Sequence, residues 1–111
     1  MATLQAINQE YLVLALRQAA EDAAKFKDTE DGGTCNLDSA VFWPGRTKKE
    51  VIEAAAAESG VDCFISEWFG RRCVFVCIGS GQGNRRSRMA KAAYESLKLS
   101  GLDASIYYQM D

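Results

Sequence analysis

Cys73-Val74-Phe75-Val76-Cys77-Ile78, then Gly79-Ser80-Gly81-Gln82-Gly83, then Asn84-Arg85-Arg86-Ser87-Arg88 reads as strand, glycine turn and helix start. The opening six residues form a nearly continuous apolar run, the pattern of a central strand. After Asn84 the pattern is helical to Ser100, with Met89, Ala93 and Leu97 on one stripe and Gly101 as the stop. The first N–H groups of a helix have no internal partner, and the helix dipole places partial positive charge there. Glycines let the preceding backbone come close to a ligand. Arg85, Arg86 and Arg88 stand where acidic residues are the usual choice, so the stretch predicts an anion site. Its spacing is neither the dinucleotide fingerprint nor a P-loop. It is not a Cys-x5-Arg phosphatase loop either, because the position that needs arginine is Gly83. The plain alternative is a loop followed by a solvated basic helix start.

Working backward, Val61 to Trp68 reads as a strand and Phe69-Gly70-Arg71-Arg72 as the tight turn into Cys73–Ile78. Thr47-Lys48-Lys49-Glu50 has the form of a capping box, opening a helix over 47–59 that carries Val51, Ile52, Ala55 and Ala56 inward and stops at Gly60. Phe42-Trp43-Pro44-Gly45-Arg46 reads as a loop, since a residue before proline is turned away from helix. Thr34-Cys35-Asn36-Leu37-Asp38-Ser39 alternates as a strand should, with Asn36 and Asp38 on its polar face. Upstream, residues 8–27 form an amphipathic helix with Asn8 as N-cap and Leu12, Leu16, Ala19, Ala23 and Phe26 on one stripe. Glu21 and Lys25 are spaced as an i,i+4 pair, and Leu14 lies off the stripe. Residues 104–110 close the chain as a strand with Ile106, Tyr108 and Met110 on the apolar face.

The order after the first helix is therefore β-α-β-β-α-β. Its economical fold is α+β: an N-terminal helix (1–30) on a ferredoxin-like βαββαβ core (31–111), one domain with a four-stranded, mostly antiparallel sheet of order 4-1-3-2. In that topology the start of strand 1 and the ends of strands 3 and 4 share one edge. The edge gathers Asp31-Gly32-Gly33-Thr34, Gly79 through Arg86, and Tyr108-Gln109-Met110-Asp111. Backbone amides of Gly81, Gln82, Gly83, Asn84 and Arg85, with Ser80 and the guanidinium of Arg85 or Arg86, are suited to phosphate oxygens. Thr34, Asn36, Asn84 and Gln109 offer hydrogen bonds to a base or sugar edge, and Tyr107 or Tyr108 a ring for stacking. The opposite edge, with Trp43, Arg46, Arg71-Arg72 and Gly101, reads as ordinary turns.

The chain has 111 residues, a net charge of −2, four cysteines and no histidine. No Ser-His or Cys-His pair can be built, so a non-catalytic protein without cofactor is expected. Asp31, Asp38 and Asp111 are scattered carboxylates of a kind that can hold Mg²⁺ beside a bound phosphate. Their spacing does not demand it, and no metal site is assigned. Cys73 and Cys77, on one face of a strand, would be ~13 Å apart, too far to bond. Buried reduced thiols and a cytoplasmic location are the reading, with no membrane span and no signal-peptide pattern in the first residues. The overall acidity argues against a general nucleic-acid binder, although residues 81–100 carry Arg85, Arg86, Arg88, Lys91 and Lys98 against Glu95. The first helix has two readings, packing against its own domain or, through a further surface marked by Leu14, a subunit contact, and a homo-oligomer is expected.

Asp31-Gly32-Gly33-Thr34-Cys35-Asn36, Gly81-Gln82-Gly83-Asn84-Arg85-Arg86 and Tyr107-Tyr108-Gln109-Met110-Asp111 together resemble a group of small phage and prophage proteins of gut Firmicutes. The likeness covers most of residues 31–111. It implies a phage setting, in the host cytoplasm, in which small proteins often counter host defences. The expected function is capture of a phosphate-bearing, nucleotide-like ligand such as a cyclic nucleotide immune signal. Two alternatives stand beside it. One is an anti-CRISPR-like inhibitor that blocks a host defence nuclease complex by direct contact. The other is a nucleic-acid-binding module using the basic helix start and the aromatic residues.

Overall fold

A computed structural model describes residues 6–26, 39–78 and 84–107. Its elements are α1 (Gln9–Ala24), β1 (Ser39–Phe42), α2 (Lys49–Ser59), β2 (Cys63–Trp68), β3 (Arg71–Val76), α3 (Asn84–Leu99) and β4 (Ala104–Tyr107). The sheet runs β2-β3-β1-β4, every neighbouring pair antiparallel. This is the α+β, ferredoxin-like order expected from the sequence.

Pairing divides the strand residues between two faces. Val41 lies opposite both Phe75 and Ser105, and Phe75 lies opposite Phe64. Those residues therefore share one face, while Ala40, Phe42, Val74 and Val76 share the other. The second face carries the helices, and its residues join Leu12, Leu16, Ile52, Ala93 and Leu97 in one buried core. Among the described residues no helix covers the first face.

The helical layer has an unusual arrangement. α1 packs against both α2 and α3, which make no close backbone approach to each other. Its buried residues, Leu12, Val13, Ala15, Leu16, Ala19 and Ala23, span a broad arc, as a helix between two others requires. The apolar stripe is thus inside its own core, and Tyr11 and the off-stripe Leu14 remain as large exposed apolar side chains on α1. Lys25 pairs with Asp22 at 3.4 Å, an i,i+3 partner one residue nearer than the expected Glu21.

Several boundaries differ from expectation. The described part of β1 is Ser39–Phe42, so Phe42 belongs to a strand and not to the loop after it. Most of the expected strand 34–39 lies outside the described residues. The turn before β3 is shorter than read: Phe69 and Gly70 alone form it, with φ of +57° and +69°, so Arg71 and Arg72 are strand residues. Two positive φ values in a two-residue loop make a type I′ hairpin, whose twist matches the strands it joins.

The capping box does not form. α2 begins at Lys49 with Lys48 as an N-cap that makes no side-chain bond. Thr47 is drawn inward instead, where its hydroxyl donates to the Pro44 carbonyl at 2.6 Å and accepts the Ile7 N–H at 2.7 Å. Burial of these backbone groups outweighed the local cap, because an unpaired buried N–H costs more than an exposed helix end left to water. Gly60 does stop α2 in the left-handed region, with its N–H on the Ala56 carbonyl.

Candidate functional site

The sheet end chosen from the sequence exists as a junction. Ser39 pairs with Tyr107 and Ala40 with Val76, so the start of β1 and the ends of β3 and β4 lie side by side. The strands therefore bring together the flanks of all three polar stretches. Thr34, Asn36, Ser80, Gly81, Gln82, Gly83, Tyr108 and Gln109 themselves lie outside the described residues, as do the side chains of Asn84 and Arg85. Asn84 opens α3 as expected.

Arg86 is half-buried and close enough to Cys77 to favour its thiolate, opposing desolvation and the Asp62 carboxylate, which together still hold that thiol above its ordinary pKa. Its neighbours on α3 face elsewhere. Arg88 and Lys91 line an open hollow of about 470 Å³ with Phe26, Ala92 and Glu95, on the α1 side of the helix. Residues 86 and 88 are about 200° apart around a helix, so the basic run divides between two surfaces.

The thiols also divide. Cys73 is buried, Cys63 half-buried and Cys77 exposed, all three free. The expectation of uniformly buried thiols fails at Cys77, because β3 ends at Val76 and the next residue turns outward. Desolvation pushes the Cys63 thiol up to about 12, with Cys77 and Asp62 adding to the rise. Among the described residues no cluster of His, Cys, Asp and Glu could hold a metal ion.

The face without helices carries what the sequence reading missed. Arg71 sets its guanidinium over the Trp43 ring at 4.9 Å, Trp43 stacks on Trp68 at 5.7 Å, and Trp68 stacks on Phe69 at 4.7 Å. These groups make a column that starts with a cation and ends at Phe69. Beside it Phe64 and Phe75 lie parallel at 4.9 Å. Tyr107 meets both stacks edge-on, 5.2 Å from Trp68 and 5.2 Å from Phe75. Offset-stacked and edge-to-face pairs are the favourable aromatic geometries, each contributing about 0.5–1.5 kcal/mol beyond burial.

Val41 and Cys73 are fully buried although no helix among the described residues covers this face. The indole N–H of Trp43 is buried with no acceptor among the described residues. Stacking, not hydrogen bonding, sets that ring's orientation. Arg71 is also tied to Asp103 at 3.3 Å, and Arg72 holds the Gly45 and Thr47 carbonyls from the helix side. The edge read as ordinary turns thus holds the column of Arg71, Trp43, Trp68 and Phe69. Its signal was present in the period of two: Phe64, Ser66 and Trp68, then Arg71, Cys73 and Phe75, alternate with the residues that face the helices.

No helix among the described residues is long and apolar enough to cross a membrane. Comparison with protein-family models, curated proteins and solved structures finds no match.

Proposed function

We propose that this domain is a non-catalytic binding protein that captures a phosphate-bearing, nucleotide-like ligand at the sheet end where β1 starts and β3 and β4 finish. The observation that carries the reading is the pairing of Ser39 with Tyr107 and of Ala40 with Val76, which joins the flanks of three polar segments. Arg86 on the first turn of α3 supplies a guanidinium for phosphate, and the segment 79–83 supplies amides before a helix start. In the phage setting that the sequence resemblance implies, the ligand is a cyclic nucleotide of host immune signalling and the protein sequesters it.

Calorimetry against cyclic and linear nucleotides tests this. Charge-assisted hydrogen bonds contribute about 1.5–3 kcal/mol, so Arg86→Ala is expected to weaken binding roughly ten- to hundredfold. A variant that melts early and binds nucleotides as the parent does would show that Arg86 is structural.

A further inference from the structure

We propose that the open face of the sheet binds single-stranded nucleic acid, with bases stacked on the outer rings of Phe69 and Phe64. This inference stands on the sheet face, independently of the ligand at the sheet end.

Two stacks reach the surface, and each ends in an exposed phenylalanine: Phe69 is 77% exposed and Phe64 is 51% exposed. Among the described residues each ring has one stacking partner, Trp68 for Phe69 and Phe75 for Phe64. A flat ring with one free face extends such a stack in the way a nucleobase does, and the interaction tolerates any base because every base has a π-face.

Phe69 carries the argument furthest. It sits at φ +57° in a two-residue turn followed by Gly70 at +69°. That turn favours asparagine before glycine, and the left-handed region is a strained place for a bulky side chain. The backbone disfavours phenylalanine there and burial does not reward it. A ligand that stacks on it accounts for both.

Spacing selects a strand over a mononucleotide. Positions 64 and 68 of β2 are about 13 Å apart along the strand, a span that one nucleotide cannot bridge and several can. Area argues against a second copy of this chain. If each phenylalanine offers roughly 200 Å², the two exposed rings supply roughly 250 Å² of the about 800 Å² per partner in a stable interface, so the apolar part of the face falls short of one by itself. Charge at the rim is modest: Arg71, which caps the column, is half-exposed but already paired with Asp103, and Arg46 in the adjoining loop is exposed. With so few cations, binding must come mainly from stacking and depend only weakly on salt, at about −0.7 in log K per log salt for each phosphate contacted.

Both tryptophans of the chain, Trp43 and Trp68, lie in the column, so their fluorescence reports on this face directly. The full chain is titrated with an oligothymidylate of about twelve nucleotides, with thymidine monophosphate, and with a cyclic dinucleotide. Saturable quenching by the oligonucleotide at concentrations where the monophosphate has no effect is expected, with a salt slope no steeper than about −1.4, two phosphates' worth. Phe69→Asn should raise the melting temperature, because the turn becomes Asn-Gly, yet weaken oligonucleotide binding roughly 5- to 150-fold, the equivalent of one lost base stack. Phe64→Thr, which keeps a strand former at its position, should weaken binding in the same range.

Absence of quenching by the oligonucleotide overturns the inference, as does unchanged affinity in Phe69→Asn and Phe64→Thr. Concentration-dependent dimerisation abolished by Phe64→Thr would give the face to a second copy, and the inference would fall. Cyclic dinucleotide binding lost in Arg86→Ala but kept in Phe69→Asn would leave the sheet-end site standing whatever the fate of the face.

Discussion

The Thr47 hydroxyl ties the segment before α1 to the loop after β1, accepting the Ile7 N–H and donating to the Pro44 carbonyl inside the fold. Thr47→Val keeps the shape and removes both bonds, stranding the Ile7 N–H. A loss of about 1–3 kcal/mol is expected in urea unfolding, and Thr47→Ser should recover most of it. A Val variant as stable as the parent would mean that water serves the Ile7 amide equally well. The cysteines allow a second test at this scale. Thiol alkylation of the native protein should modify Cys77 well before Cys63 and leave Cys73 untouched, in the order of their exposure. Desolvation holds the folded Cys63 thiol protonated up to about 12, above its value in the unfolded chain, so the stability it contributes is complete below pH 9 and is lost as pH rises from there toward 12. Unfolding midpoints between pH 8 and 10.5 should fall for the parent and fall less for Cys63→Val.

At the scale of elements, α1 is the helix with two readings. Its stripe was legible as a period of 3.6, but periodicity cannot say whether the covered side belongs to the same chain or to another. The answer lies in residues far away in sequence, on α2 and α3. Leu16 is buried among them, so Leu16→Ala should cost about 2–5 kcal/mol, measured by denaturant unfolding. A chain beginning near Asp28 should show no cooperative melt, whereas a subunit-contact helix would leave a folded, smaller species. The boundaries of α2 and β3 were misread for a related reason. Thr47 and Arg71 each satisfy a local rule, a cap in one case and a turn in the other. Tertiary bonds to Ile7 and Asp103 place them otherwise.

For the whole molecule, strand order was legible because β-α-β-β-α-β leaves few ways to close an antiparallel sheet, and the junction at Ser39, Val76 and Tyr107 follows from that order alone. The aromatic face was not legible as a unit. Trp43, Phe64, Trp68, Phe75 and Tyr107 come from all four strands or their ends, and only register shows that they share a side. The central place of α1 has a further consequence, during synthesis. α1 is made before both of its partners, and α3 is finished only about 75 residues later. At typical translation rates that is roughly 4–15 s in which a helix with an apolar arc has no fold to enter. A chaperone that holds short apolar helices has that interval in which to meet this one, and the core can close only when the last third of the chain has emerged.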